Sequence, residues 1–180
     1  MDAKKEVRKY IKERWTAFSA DTARMQKEEA DIWEAVELSG EFAAARTVLV
    51  YMDIEGEVPT REFIARWSGI KRIVLPLVTA GDDLVMKEYV PEKLHPGFKG
   101  IMEPADDAPD VSPDEINLAL IPGIAFTRDG ARLGRGGGYY DRLIPRLNCP
   151  CWGLSYSCRI VESLPVDPWD GVLDRVITSR

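Results

Sequence analysis

The sequence predicts an α/β fold built on a largely parallel sheet. Three observations carry this expectation. Thr47–Tyr51 (TVLVY) is a short apolar run rich in β-branched residues, the pattern of a buried strand. A short helix follows, capped by Thr60, running through Trp67 and stopped by Gly69. Lys71–Pro76 (KRIVLP) then reads as a second strand, so the connection is strand, helix, strand, which implies a right-handed crossover between parallel neighbours.

The remaining elements follow in order. Val7, Tyr10, Ile11, Arg14, Trp15 and Phe18 recur at helical spacing and predict a first helix over residues 3–18. Ser19 or Asp21 caps a second helix running to about Ser39, with Ile32, Trp33, Val36 and Met25 marking its apolar face and Gly40 ending it. After the first two strands, Leu84–Tyr89 reads as another. Pro91–Pro113 is rich in Pro, Gly and Asp and reads as a long surface loop rather than a domain boundary. Leu118–Ile121 is a short buried strand closed by Pro122-Gly123. Tyr139–Leu147 reads as a helix limited by Pro145, and Trp152–Tyr156 and Val172–Thr178 as the last strands. Neither internal repeats nor low-complexity tracts interrupt the chain, and one domain over residues 1–180 is expected.

Bulk properties narrow the function classes. The 180 residues are 45% hydrophobic and 30% charged, an ordinary globular balance. A net charge of −6 disfavours general nucleic-acid or anionic-membrane binding. No apolar run approaches the length of a membrane span, and the start MDAKKEVRKY lacks a signal core, so a cytoplasmic protein is expected. Cys149, Cys151 and Cys158 are an odd set without a second zinc-type pair, and read as structural thiols. His95 is the single histidine. Nothing near it resembles a nucleophile elbow, and a histidine-rich metal site is excluded.

The chemistry concentrates in RLGRGGGYYDR, Arg132–Arg142. Gly134, Gly136, Gly137 and Gly138 let the main chain adopt positive φ and let a ligand approach it closely. Successive N–H groups then form an anion nest, and Arg132 and Arg135 add charge and bidentate donors suited to phosphate. A helix opening at Tyr139 would aim its positive end at the same place. Asp141, just beyond, suggests Mg²⁺. The stretch is neither a Walker loop nor a dinucleotide fingerprint. On its glycines alone, a turn with solvated arginines is the commoner arrangement, and general chemistry stops at an anion site.

Its flanks make the stretch more specific. Pro122-Gly-Ile-Ala-Phe126, then Gly130, then Arg132–Arg142 closely resembles the signature of the 5-formyltetrahydrofolate cyclo-ligase (5,10-methenyltetrahydrofolate synthetase) family. Lys4 and Arg8 match that family's amino-terminal Lys-x-x-x-Arg. Tyr51-Met52, Glu57 and Thr60 resemble its strand-end segment, and Gly100-Ile-Met-Glu103-Pro104 its Gly-Ile-x-Glu-Pro stretch. Leu164-Pro165 with Asp170 and Asp174 resembles its carboxy-terminal pattern. The resemblance spans almost the whole chain.

The resemblance implies a three-layer α/β/α fold with a mainly parallel central sheet. It implies ATP- and Mg²⁺-dependent closure of 5-formyltetrahydrofolate to 5,10-methenyltetrahydrofolate, with ADP and phosphate released. The formyl oxygen attacks the γ-phosphate, and N10 of the folate captures the iminium phosphate. Lys4 and Arg8, one helical turn apart on one face, are carried over as ATP ligands. So are Arg132, Leu133, Gly134, Arg135, Gly136, Gly137, Gly138, Tyr139 and Tyr140. Arg135 is the expected catalytic residue, stabilising the transferring phosphoryl group. Met52 and Glu57 are carried over to the folate site, shared with Arg135, Gly136, Gly137, Gly138 and Tyr139, and Asp141 and Asp170 to the Mg²⁺ site. The implied partners are a reduced folate and ATP, without nucleic acid or membrane, and a monomer is expected.

Four positions depart from the family pattern: Thr127 replaces a usual Asp, Leu77 a common Arg, Arg159 a frequent Gln and Trp169 a common His. The phosphate residues are intact, so the departures bear on folate specificity more than on ATP. They leave open a related ATP-dependent enzyme acting on another formyl or amide compound, or a non-catalytic folate- or nucleotide-binding regulator.

Overall fold

A computed structural model describes residues 2–81, 83–97 and 100–179. Helix α1 spans Ala3–Ser19, and the Asp2 carboxylate accepts from the Lys4 amide at 3.1 Å to cap it. Asp21, rather than Ser19, caps α2 (Thr22–Glu37), accepting from the Arg24 amide at 3.0 Å. Gly40 does not end this helix. Leu38 closes it in an ordinary right-handed conformation, and Ser39 then caps a further short helix, α3 (Gly40–Ala44), through the Phe42 amide at 3.1 Å.

The strands and remaining helices follow as β1 (Thr47–Leu49), α4 (Arg61–Trp67), β2 (Arg72–Val78) and β3 (Leu84–Glu88). Next come β4 (Leu94–Pro96), β5 (Met102–Pro104), β6 (Leu118–Ile121), β7 (Ala125–Phe126) and β8 (Arg132–Leu133). The chain closes with α5 (Tyr139–Leu143), β9 (Cys151–Leu154) and β10 (Arg175–Ile177). Thr60 precedes α4 as expected but makes no side-chain cap; its hydroxyl donates to the Tyr51 carbonyl at 2.7 Å instead. The helix read over residues 139–147 is α5 followed by a 3₁₀ turn at Ile144–Arg146, where Pro145 removes a helical donor.

The central sheet has the order β10-β9-β6-β1-β2-β3. All neighbours are parallel except β3, which lies antiparallel on β2. The expected parallel pairing of β1 with β2 is present, in a register that sets Val48 beside Ile73.

Both faces of the sheet are buried, which explains why its strands read as continuous apolar runs rather than as alternating ones. Val48, Ile73, Leu75, Leu118, Leu120 and Trp152 point to one face and pack with Phe18, Ile32, Val36, Phe42 and Phe63 from α1 to α4. Leu49, Val74, Ala119, Ile121 and Cys151 point to the other and meet Leu143, Ile144, Val111 and Ile116. The result is the expected three-layer α/β/α arrangement with a mainly parallel sheet.

The Pro91–Pro113 segment is more ordered than its composition predicts. It carries the antiparallel β4–β5 pair, and Ala108 and Val111 are buried. Residues 98 and 99, inside this segment, lie outside the described residues. The pairing joins two strands each ending in proline, so neither shows the alternation by which a strand is read.

Candidate active site

The site grows from the carboxyl ends of the parallel strands, where open α/β sheets bind ligands. Tyr51 and Met52 follow β1, and Pro122 and Gly123 follow β6. Beyond β8 the chain does not turn directly into α5. Gly134–Gly138 form a largely exposed strap between them. Gly136 and Gly138 have φ of 108° and 68°, a region that L side chains rarely adopt. A Cβ placed on Gly137 would lie 2.5 Å from the Tyr139 ring. The glycines are therefore required by backbone shape and close packing, not only by a ligand.

Two cavities share this strap. The first, of about 840 Å³, is basic on one side: Lys4 and Arg8 of α1 face Gly134–Gly138, with Asp141, Asp170 and Trp169 completing it. The spacing of Lys4 and Arg8 delivers both side chains to the same cleft. Arg8 donates to the Gly134 carbonyl from Nε and Nη2 at 3.2 and 3.1 Å. Lys4 Nζ pairs with Asp167 and Asp170 at 2.6 and 2.7 Å. Burial works against the Lys4 ammonium, but its bonds to Asp167 and Asp170 outweigh that and raise its pKa above the ordinary value. Asp170 moves the opposite way. Burial pushes its carboxyl up, but the Lys4 hydrogen bond and the Asp167 amide carry it below the usual value.

Arg132 is almost fully buried and is held by Asp141 at 2.7 Å and the Pro122 carbonyl at 3.2 Å. It thus latches the strap to β6, and its Nε is buried without a hydrogen-bond partner. Leu133 is buried and borders the basic cavity. Asp141 also accepts from the Gly171 amide at 3.3 Å, through the same Oδ1 that takes Arg132. Asp170 likewise engages only Oδ2, with Lys4 and the Asp167 amide. Each carboxylate keeps a second oxygen for a hard cation. Among the described residues no cluster of three or more ligating side chains exists. That donor set fits Mg²⁺, which takes one or two carboxylates and completes its shell with phosphate and water.

The second cavity, of about 430 Å³, lies across the strap and is mainly apolar. Tyr51, Met52, Pro76, Pro122, Tyr139 and Tyr140 form much of its wall, and Glu57 and Arg135 its polar end. Glu57 closes its own turn: its Oε2 accepts from the Ile54 amide at 3.2 Å and its amide donates to the Ile54 carbonyl at 3.0 Å. Oε1 faces Arg135 Nη2 at 3.1 Å. The Glu57 side chain is 7% exposed and that of Arg135 49%. Burial raises the Glu57 pKa, and Arg135 opposes the shift without cancelling it.

The predicted residues therefore gather at one strap but divide between its sides. Lys4, Arg8, Leu133 and Asp170 border the basic cavity, and Arg132, Gly134, Gly137, Gly138 and Asp141 border both; Gly136 belongs to the basic side. Met52, Glu57, Arg135, Tyr139 and Tyr140 border the apolar pocket. Sequence reasoning missed Asp167, which shares Lys4 with Asp170 from 163 positions away, a separation that leaves no local signal. It also gave no role to Ile101, Met102 and Glu103, which line the apolar pocket. Their Gly-Ile-Met-Glu-Pro stretch was the signal available.

The four departures, expected to bear on folate specificity, are not confined to the apolar pocket. The Thr127 hydroxyl accepts from the Ala131 amide at 3.0 Å in the β7–β8 turn, and Leu77 is buried in the sheet. Neither borders the two cavities. Trp169 is 72% exposed at the rim of the basic cavity. Arg159 is buried, with a guanidinium packed against Gly56 beside Glu57.

Known proteins resemble this chain over most of its length. The 5-formyltetrahydrofolate cyclo-ligase family model matches residues 1–179. The chain belongs to the 5-formyltetrahydrofolate cyclo-ligase family. That places it among the ligases. A 5-formyltetrahydrofolate cyclo-ligase of Escherichia coli (strain K12) is 34% identical over 142 residues, covering 74% of this chain and 78% of the relative. One from Haemophilus influenzae is 32% identical, covering 70% of this chain and 72% of the relative. The solution structure of Aquifex aeolicus 5,10-methenyltetrahydrofolate synthetase superposes with a TM-score of 0.83 at 31% identity, covering 98% of this chain and 92% of that one. The Mycoplasma pneumoniae synthetase superposes with a TM-score of 0.77 at 26% identity over the full length of both chains. Among the described residues of this cyclo-ligase family member, no helix is long and apolar enough to cross a membrane.

Proposed function

We propose that this protein closes 5-formyltetrahydrofolate to 5,10-methenyltetrahydrofolate with consumption of ATP. The observation that carries the reading is the glycine strap, bordered by a basic cavity on one side and an apolar, carboxylate-ended pocket on the other. Such a partition suits a reaction that joins a triphosphate to a flat heterocycle across a short distance. Family membership and the curated relatives support the same reaction.

The triphosphate binds between α1 and the strap. Lys4 exchanges Asp167 for a phosphate oxygen, and Arg8 and the strap amides supply further donors. Asp141 and Asp170 would hold a Mg²⁺ brought with the nucleotide, which would neutralise phosphate charge. The pterin enters the apolar pocket, where Met52 and the tyrosines cover its faces and Glu57 accepts from its amino group and ring N–H. The formyl oxygen then points across the strap. It attacks the γ-phosphorus, the bond to the β-phosphate oxygen breaks, and ADP leaves. N10 adds to the activated formyl carbon, its proton is lost, and the carbon–oxygen bond breaks to release phosphate.

Arg135 is the mobile group in this scheme. Arg135 is the half-exposed partner of its ion pair with the buried Glu57, so its guanidinium is free to swing toward a phosphoryl group carrying more charge. The donor that meets the growing charge in the transition state is thus parked on Glu57, the carboxylate assigned to the pterin. The remaining expectations, a cytoplasmic monomer folded as one domain without nucleic-acid or membrane partners, accompany this proposal.

The test is spectrophotometric. Mixing protein, ATP, Mg²⁺ and 5-formyltetrahydrofolate should produce the methenylfolate absorbance band. ATP binding with no band under saturating conditions would overturn the proposal. Phosphate release with a different formylated compound would then favour the related-enzyme alternative.

A further inference from the structure

One buried cation near the site has no part in the scheme above. Arg159 is 6% exposed, at the end of a 3₁₀ turn after β9. Its Nη1 donates to the Ile124 carbonyl at 3.0 Å, its guanidinium lies 4.9 Å from the centroid of the Trp15 ring, and its Nε is buried without a hydrogen-bond partner. A buried guanidinium this poorly compensated is costly to keep. Its surroundings suggest why it is kept. A Cβ built on Gly56 would lie 2.0 Å from Arg159 Nη2, so the guanidinium is pressed directly under the turn that presents Glu57. Gly56 itself has φ of 86°, which together with that contact makes glycine obligatory there.

Glu57 therefore has two cations near it, Arg135 bonded to its carboxylate and Arg159 against the neighbouring Gly56, and the two differ in mobility. Arg135 is half exposed and sits on the strap. Arg159 is enclosed by Trp15, Gly56 and the Ile124 carbonyl. Resting on the proposed function, in which Arg135 leaves Glu57 for the phosphates, we infer that Arg159 is the positioning residue of the folate site. It props the turn of Ile54–Glu57 from below and supplies the standing positive charge that keeps Glu57 a carboxylate while Arg135 is away. Arg159 opposes, more weakly than Arg135 does, the burial that favours a proton on this carboxyl, and a proton there would take away one of the two acceptors assigned to the pterin. Glu57 shares its cavities with the carboxylates of Glu29, Asp53, Glu55, Glu103 and Asp141, the cations Arg61 and Arg132, and the phenols of Tyr51, Tyr139, Tyr140 and Tyr156. Burial raises the Tyr51 and Tyr140 pKa values, so those two stay neutral and add no compensating charge. The direct influence of Arg159 on Glu57 is downward, as is that of Arg135.

The experiment follows Glu57 itself by carbon-13 carboxyl NMR in the full-length protein. Arg135→Ala reproduces the state in which the mobile cation has left. Adding Arg159→Gln keeps a donor to Ile124 but removes the charge, and should raise the Glu57 midpoint by about one further pH unit. Arg159→Lys in the same background should hold the midpoint near that of Arg135→Ala alone. An unchanged midpoint with Arg159→Gln, in protein with a native melting transition, would overturn the inference. Calorimetry supplies the second readout. In otherwise native protein, Arg159→Gln should weaken 5-formyltetrahydrofolate binding on the acid side of the profile, with the deficit closing as pH rises and Glu57 ionises regardless. A deficit equal at all pH values would mark Arg159 as a structural prop only and overturn the electrostatic role. No folate binding by the unmutated protein at any pH would sink the proposed function, whereas normal binding with an unmoved Arg159→Gln profile would sink this inference alone.

Discussion

The two cavities beside the glycine strap are built by opposite means. The basic one is assembled from the far ends of the chain. Helix α1 is tied to residues 167–170 by the Lys4 pairs with Asp167 and Asp170, and to the strap by Arg8 on the Gly134 carbonyl. The apolar one is an extension of the sheet, with Tyr51, Met52 and Pro122 just beyond β1 and β6 and Glu57 locked into its own turn. One region is held by charge at partly exposed positions, the other by a packed core. The difference teaches which ligand each can serve. A triphosphate can displace carboxylates from a cation, so charge-held walls suit it, whereas a flat heterocycle needs a pocket shaped before it arrives.

The sharpest way to break the comparison is to remove the residue that serves both sides. Arg135→Ala should lower turnover by about 10²- to 10³-fold, as expected for losing a donor aimed at developing charge. Folate affinity should change only a few-fold, because the ground-state partner of Arg135 is Glu57 and not the pterin. Steady-state kinetics beside calorimetry separates the two effects, and equal losses in both would return Arg135 to a simple binding role. The next effect concerns the latch. Asp141→Asn leaves the buried Arg132 without its anion and should cost about 3 kcal/mol of stability, visible in urea unfolding. It should also raise the Mg²⁺ concentration for half-maximal activity. An unchanged metal titration would remove Asp141 from the metal site.

Smaller changes should fall on one side only. Met52→Ala removes apolar wall from the pocket proposed for folate and should raise the folate KM about tenfold, on the order of 1.4 kcal/mol, with the ATP KM unmoved. A matched rise in both constants would show that the two cavities are not independent. The smallest effect concerns the Lys4–Asp170 tie. The Asp170 pKa is depressed in the fold, so its contribution is present above the ordinary carboxylate value and lost as pH falls through the folded one. The Lys4 pKa is raised, so its contribution is present below the ordinary lysine value and lost as pH rises through its folded one. Asp170→Asn should therefore melt about 3 °C below the native protein at neutral pH, with the gap closing in acid. A gap that persists in acid would assign the loss to packing.

The same division governs what could be read without coordinates. The sheet was legible because both its faces are buried, so TVLVY, RIVLP and LALI stand out as apolar runs wherever they pair. Their ends were not. β1 stops at Leu49, although the Val50 amide still donates to Val74 of β2, and Tyr51 beyond it turns to the pocket wall; the strand read over 172–178 narrows to Arg175–Ile177 because Leu173 and Asp174 bond instead to Gly130 and Cys151. The β4–β5 and β7–β8 pairs were illegible for a different reason. Strands of two or three residues carry no periodicity, and their pairing is decided by the surrounding surface. On the site, the strap announced itself by composition as an anion loop, whereas Lys4 and Arg8 share a helix face by spacing and announced themselves as ligands only through the family resemblance. Asp167, Arg159 and the Glu103 wall did not, because their roles depend on which distant element they meet.

The central claim is that phosphoryl transfer crosses the strap to the formyl oxygen, and the fate of that oxygen tests it most directly. The substrate should be 5-formyltetrahydrofolate carrying oxygen-18 in the formyl group, converted with ATP and Mg²⁺ and followed by mass spectrometry of the phosphate released. The account predicts one labelled oxygen in the phosphate and none in ADP. Methenylfolate formed with unlabelled phosphate would mean that ATP is cleaved by water, and the two cavities would no longer be joined by the chemistry proposed for them.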